Sequence, residues 1–193
     1  MVLLQSALLL SFHHSQTDMH TMPWYWTGVA ISLCQIMGLH RCSLVSLSKS
    51  SIPQHQVRLW RRLWWTCFFR DRWLSLTMGR PLRINVHDCD TALPSASDIL
   101  ADLEGLPESI TSTYIPNELS ILAEDWVQMI LMTRLLGDVL MVCYQPFAPS
   151  PSIEHVRELE MEIIGFKLPE SSPERDHSPL ATFSLYHMQL HYQ

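Results

Sequence analysis

Charge is scarce in this sequence. Only 17% of its 193 residues are charged and the formal balance is −6, which excludes a chain whose whole surface tracks nucleic acid, because such domains carry a strong basic excess. Glycine is scarce as well, with six residues, and that excludes collagen-like and low-complexity chains. Five cysteines, Cys34, Cys42, Cys67, Cys89 and Cys143, are odd in number and far apart, with no CxxC pair for zinc or redox chemistry. They read as reduced intracellular thiols, mostly small core residues. Met1 to Phe12 is apolar but lacks a basic start and a small-residue cleavage site, so it is not read as a signal peptide. No phosphate loop or dinucleotide fingerprint is found.

What the chain does have is apolar surface: 47% of residues are hydrophobic, enough for one globular unit with a sizeable core. Long apolar stretches argue for helices packed on helices. The fold class is therefore all-α, an irregular multi-helix bundle. The terminal helical stretch, Leu180 to Gln193, stops without a capping residue, so the bundle is expected to be truncated at its C-terminus.

Helix punctuation sets the expected order. A first helix runs from Val2 to about His14, and a second opens at Pro23 and runs to Met37, where Gly38 suits the left-handed position past a helix end. Ser43 to Ser51 reads as a linker. A third helix runs from Pro53 to about Met78, stopped by Gly79 and Pro81. Between Arg80 and Pro116 there is no sustained helical period, which reads as a long loop. Asn117 is the expected cap of a fourth helix ending before Pro146. Its apolar line of Leu119, Leu122, Trp126, Met129, Thr133, Leu136, Leu140 and Cys143 steps by three and four, as a packing seam does. Such a seam admits a homodimer, although packing within one chain's bundle is its commoner use. Ser150-Pro151 can cap a fifth helix through Ile153, Val156, Leu159 and Ile163. The uncharged stretch Met19 to Leu39, opening on Trp24, Tyr25 and Trp26, also admits a membrane-associated reading, which Thr27, Gly28, Ser32 and Gln35 weaken.

The informative cluster lies on the third helix: Arg61-Arg62-Leu63-Trp64-Trp65, then Asp71-Arg72, then Gly79-Arg80-Pro81. Gly38-Leu39-His40-Arg41 precedes it, and Asp88-Cys89-Asp90 with Pro94 follows. In this order and spacing the pieces resemble the fungal-specific transcription factor domain, the middle homology region of zinc binuclear-cluster transcription factors. The resemblance is firmest from Met22 to Pro94 and extends loosely over residues 1–193.

The resemblance implies a regulatory and interaction domain of a nuclear factor that controls RNA polymerase II transcription. Its expected partners are the transcription machinery or co-regulator proteins, together with a small-molecule effector. DNA would be bound only through an N-terminal six-cysteine cluster holding two zinc ions, a module this sequence does not contain. No cofactor is accordingly expected in this chain, and no residue is assigned a catalytic, cofactor-binding or metal-binding role. Two rivals remain: a nonfunctional or dominant-negative fragment that competes for partners, and the membrane-associated helical protein.

Arg58 to Arg83 holds seven of the thirteen basic residues, interleaved with Trp60, Trp64, Trp65 and Trp73. That is also the composition of a nucleic-acid stripe. The default reading is that Arg58, Arg61, Arg62 and Arg72 form a solvated or acid-paired face and the tryptophans anchor the core. His87-Asp88-Cys89-Asp90 offers four adjacent donors, which rarely converge on one ion. His13, His14, His40, His187 and His191 are read as lacking HExxH or paired-ligand spacing. Glu158, Glu160 and Glu162 scatter around a helix, so an enzyme is not the reading adopted. Two structural expectations follow from helical angle. Trp64 is a core anchor beside Val57, Trp60, Cys67 and Phe68, and Asp71 falls inside the apolar arc, where it must be buried and paired, with Arg80 as the first candidate partner.

Overall fold

The computed structural model describes residues 1–13, 21–41, 52–144, 150–171, 175 and 177–192. All regular structure among them is helical, so the fold is all-α. The chain divides into two compact units, Met1–Pro94 and Ser95–Gln193. The first ends where the firmest part of the motif region ends.

In the first unit, α1 spans Val2–Phe12 and buries Leu4, Ala7, Leu8 and Ser11, the i, i+3, i+4, i+7 face of an amphipathic helix. Helix α2 spans Met22–Ile36, with Pro23 in its first turn, where a missing N–H costs nothing. It packs on α1 and contributes Ala30, Ile31 and Cys34 to the core. At 15 residues it is shorter than the roughly 20 needed to cross a bilayer. Helix α3 spans Gln54–Met78, close to expectation. It buries Leu63, Trp64, Trp65, Cys67, Phe68 and Leu74. Gly79 adopts φ 59°, and the amides of Gly79 and Arg80 return to the carbonyls of Leu76 and Ser75. This is the left-handed stop that glycine makes cheaply. The proposed linker from Ser43 to Ser51 lies outside the described residues.

The stretch 80–116 departs from the long loop expected. A 3₁₀ turn covers Val86–Asp88, and two short helices follow: α4, Ala96–Leu100, and α5, Glu108–Tyr114. The overlooked signal was local chemistry, not period. Ser95 and Asp98 form a capping box, with the Ser95 amide donating to Asp98 at 2.9 Å. Helices of five and seven residues are too short to show apolar periodicity.

In the second unit, α6 spans Leu119–Cys143 and is flanked by α4, by α7 (Ile153–Gly165) and by α8 (Pro179–Tyr192). Its cap position is Glu118, not Asn117, and Pro146 lies outside the described residues. Of the expected seam, Met129, Thr133 and Leu140 are buried, while Cys143 is exposed. Burial instead covers two neighbouring lines, one of Ala123, Ile130 and Gly137 and one through Asp125, Met129 and Met132. A helix contacted by three others hides more than one stripe. Helix α6 is long and apolar enough to cross a membrane by length and composition, yet Asp125 near its start sits in a buried ion pair, as in the core helix of a bundle. Ser152, not Ser150, caps α7 by accepting from the His155 amide at 3.2 Å. Of its expected apolar line only Leu159 is buried, with Ile153 and Val156 exposed.

Candidate functional site

The motif pieces converge on one feature of the first unit, the extended segment after Gly79 that runs back along α3. Asp71 begins the account. Its side chain is fully buried, as its helical angle requires, and both carboxylate oxygens accept from the backbone amide of Arg83, at 3.1 and 3.2 Å. The Ile84 amide donates to it at 3.0 Å, and the Arg72 guanidinium at 2.6 Å. Burial pushes the Asp71 carboxyl up, while Arg72 and the two amides pull against that. A buried carboxylate surrounded by donors is a structural lock.

Arg80 is not the partner. Its guanidinium lies 5.7 Å from the Trp24 ring, because the turn at Gly79 directs residue 80 outward. Arg72 corrects a second expectation. Instead of joining a solvated face it is fully buried, paired with Asp71 and set over the Phe68 ring at 4.0 Å. An arginine beside a buried carboxylate follows that charge inward, whatever its neighbours on the helix surface do.

The other pieces hold the same segment further along. Trp65 donates its indole N–H to the Ala92 carbonyl at 2.8 Å. The Asp90 amide donates to the His40 carbonyl at 3.1 Å, and the Thr91 hydroxyl to the Leu39 carbonyl at 2.7 Å. Arg41 pairs with Asp90 at 3.6 Å. Leu39 and Leu63 are buried, and the His40 ring sits 5.7 Å from that of Trp64, itself 1% exposed. Gly38 has φ 72° and turns the chain out of α2. The Ser75 hydroxyl donates to the Pro81 carbonyl at 3.4 Å, so Gly38, Leu39, His40, Arg41, Trp65, Asp71, Arg72, Gly79 and Pro81 all serve one arrangement, the pinning of residues 80–94 to α3 and to the turn after α2. Arg61 and Arg62 are half-buried on α3.

Three arginines of the basic stretch are engaged inside the unit. Arg70 is buried, donates to the Ser11 carbonyl at the end of α1 and lies 4.2 Å from the Phe12 ring, a cation placed where a helix end favours it. Burial lowers its pKa to about 10. Arg72 is locked to Asp71. Arg83 lies 3.6 Å over the Trp24 ring and donates to the Trp24 carbonyl at 2.6 Å, fitting against Gly28, where a Cβ would meet its Nη1 at 2.6 Å. These three charges are held by contacts within the unit.

The remaining chemistry-bearing residues are dispersed. Asn85 accepts from the His87 amide and donates to Asp88 at 3.0 Å, so the Asp88 carboxylate is engaged in the turn. Burial first, then Asp88, raises the Cys89 thiol to about 11. Among the described residues no group of three or more His, Cys, Asp or Glu side chains could hold a metal ion. Cys34 and Cys67 are buried with their sulfurs 3.5 Å apart; hydrogen bonding to Cys34, then burial, raises the Cys67 thiol. The second unit holds an arrangement not anticipated from sequence. Arg175 forms a bidentate pair with Asp125, at 2.9 and 2.7 Å, fifty residues away. Asp125 shares the buried face of Met129 and Met132, the same signal that identified Asp71. His187 and His191 also need correction. Four apart on α8, they do have paired-ligand spacing, and their Nε2 atoms lie 3.1 Å apart. Burial, then His187, lowers the His191 pKa.

The motif residues of this all-α chain thus hold the core of its first unit together. Its sequence matches the fungal specific transcription factor domain over residues 1–164. The chain belongs to that family. It is 40% identical over 106 residues to cutinase transcription factor 1 beta of Fusarium vanettenii, covering 53% of this chain and 12% of that protein. Acetamidase regulatory protein of Aspergillus fumigatus is 34% identical over 115 residues, 58% of this chain and 14% of the relative. A transcriptional regulatory protein of Schizosaccharomyces pombe is 27% identical over 164 residues, 84% of this chain and 22% of the relative. The chain thus spans a small fraction of the length of these relatives. No solved structure matches it.

Proposed function

We propose that the chain is a regulatory and interaction region of a fungal zinc-cluster transcription factor, acting in the nucleus on RNA polymerase II transcription through co-regulator proteins. The observation that carries this reading is the use of the family motif. Asp71, Arg72 and Trp65 are engaged in pinning residues 80–94, which supports a structural role for these motif residues. Binding to DNA is assigned to a separate zinc module, since Arg70, Arg72 and Arg83 have internal partners.

The test is a chimera. Fused to an unrelated DNA-binding domain in a fungal host, the chain should change transcription from a reporter carrying that domain's site, and Asp71→Asn should diminish the change. A reporter indifferent to the chain would sink the proposal. A nuclear signal from a fluorescent fusion checks the compartment.

A small-molecule effector is the second reading, favoured by one observation. An open groove of about 890 Å³ runs along α2, lined by Met22, Trp24, Tyr25, Val29 and Leu33, with Arg83 at its wall. Its apolar side chains, with Thr21, Ser32 and Gln35 also in the lining, suit a ligand with an apolar body and a polar group.

A further inference from the structure

We propose that His187 and His191 form a two-imidazole chelate for a divalent late transition metal ion on the exposed side of α8. The argument starts from the helix. Residues four apart lie on one face, one turn above the other, and Ala181, Leu185 and Met188 are buried on another, which fixes the rotation of α8. Tyr192 adds an anchor at the end of the helix by donating its hydroxyl to the Ile163 carbonyl of α7. The two histidines are held on the accessible side, with His187 exposed and His191 half-buried.

The rings are oriented as well as placed. Phe183, one turn before His187, stacks on it with 13° between the planes and 6.0 Å between centroids. The two imidazoles stand at 79° with centroids 4.4 Å apart, and the atoms they direct at each other are the Nε2 nitrogens, 3.1 Å apart. For bonds of about 2.0 to 2.1 Å, a nitrogen separation of that size subtends roughly 95 to 102° at a shared ion, between square-planar and tetrahedral angles. Imidazole suits copper, nickel and zinc, and the general order of affinities places copper first. Without an ion, one neutral ring donates its Nε2 proton to the other. On binding, that proton moves to Nδ1 of its own ring, both Nε2 lone pairs face the metal, and no net proton is released. Water completes the coordination.

Calorimetric titration of the full chain with nickel chloride, in a buffer that does not coordinate metals, tests the site. One ion per chain is expected, with the affinity falling about tenfold or more in His187→Ala and in His191→Ala, as expected when one of two linked contacts is lost. His155→Ala, which removes an exposed histidine of α7, should leave binding unchanged. His187→Gln preserves the helix and should weaken binding as alanine does, which separates loss of a ligand from loss of fold. A second readout is the melting temperature, which should rise with nickel in the parent chain and not in the α8 variants. Equal affinity in the parent and the α8 variants, or no binding at all, would overturn the assignment.

Discussion

Asp71 accepts the backbone amide of Arg83 on both of its carboxylate oxygens, although twelve positions separate the two residues. The distances explain why the partner is residue 83 and not residue 80. From Asp71 to Gly79 the helix rises about 12 Å, and an extended chain recovers about 13 Å in the four steps from Gly79 to Arg83. The returning segment is then level with the carboxylate, while Arg80 is still at the turn.

Replacing Asp71 by asparagine should accordingly destabilise the first unit by about 2 kcal/mol or more, because Arg72 stays buried without its counter-charge. Chemical denaturation followed by tryptophan fluorescence measures it. A change below about half a kcal/mol, the range of ordinary surface substitutions, would show that the lock is not energetic.

Trp64 is 1% exposed. Truncation to alanine should cost about 3 to 5 kcal/mol, a large share of a domain's stability. A Trp64→Ala chain that keeps the parent melting temperature would contradict its place in the core.

In the second unit the pair of Asp125 and Arg175 is the counterpart of the lock. Arg175→Ala strands a buried carboxylate and should cost about 3 kcal/mol or more, whereas an Asp125→Leu, Arg175→Met double variant should recover much of the loss. Equilibrium unfolding of both variants distinguishes a broken pair from simple loss of volume; equal losses would argue for the latter.

Cys67 should resist alkylation in the native chain. It is fully buried and its thiol is held protonated by Cys34 and by burial, whereas thiolate is the nucleophile. Cys143 is exposed and should react more readily than Cys67. Peptide mapping after a timed pulse of iodoacetamide reads both, and rapid native labelling of Cys67 would contradict the packing of α2 on α3.

The chain alone should have no appreciable affinity for duplex DNA, given its balance of −6 and the internal contacts of Arg70, Arg72 and Arg83. Titration of a labelled duplex at low salt checks this. Binding tighter than about micromolar that weakens steeply with salt would mark the arginines as phosphate contacts after all.

The long helices were legible in the sequence because their signals are local. Pro23 and Gly38 bracket α2, and Pro53 and Gly79 bracket α3, through restrictions on φ that act within one or two residues. The angle of Asp71 on its helix was equally local, and it implied burial. Helices α4 and α5 were missed because both are too short to have a period, and the start of α4 is marked only by its capping box.

What the sequence by itself determined, then, is where the helices run, which family motif they carry and that Asp71 needed partners. Only the tertiary structure decided who those partners are. Backbone amides carry no side-chain identity, so nothing in the letters Arg83 and Ile84 reveals that their N–H groups meet Asp71. Arg72 belongs to the same case, buried because its charge follows a neighbour inward. The pairing of Asp125 with Arg175 spans fifty residues, and partners at that separation are set by how chain segments pack, which no local pattern records.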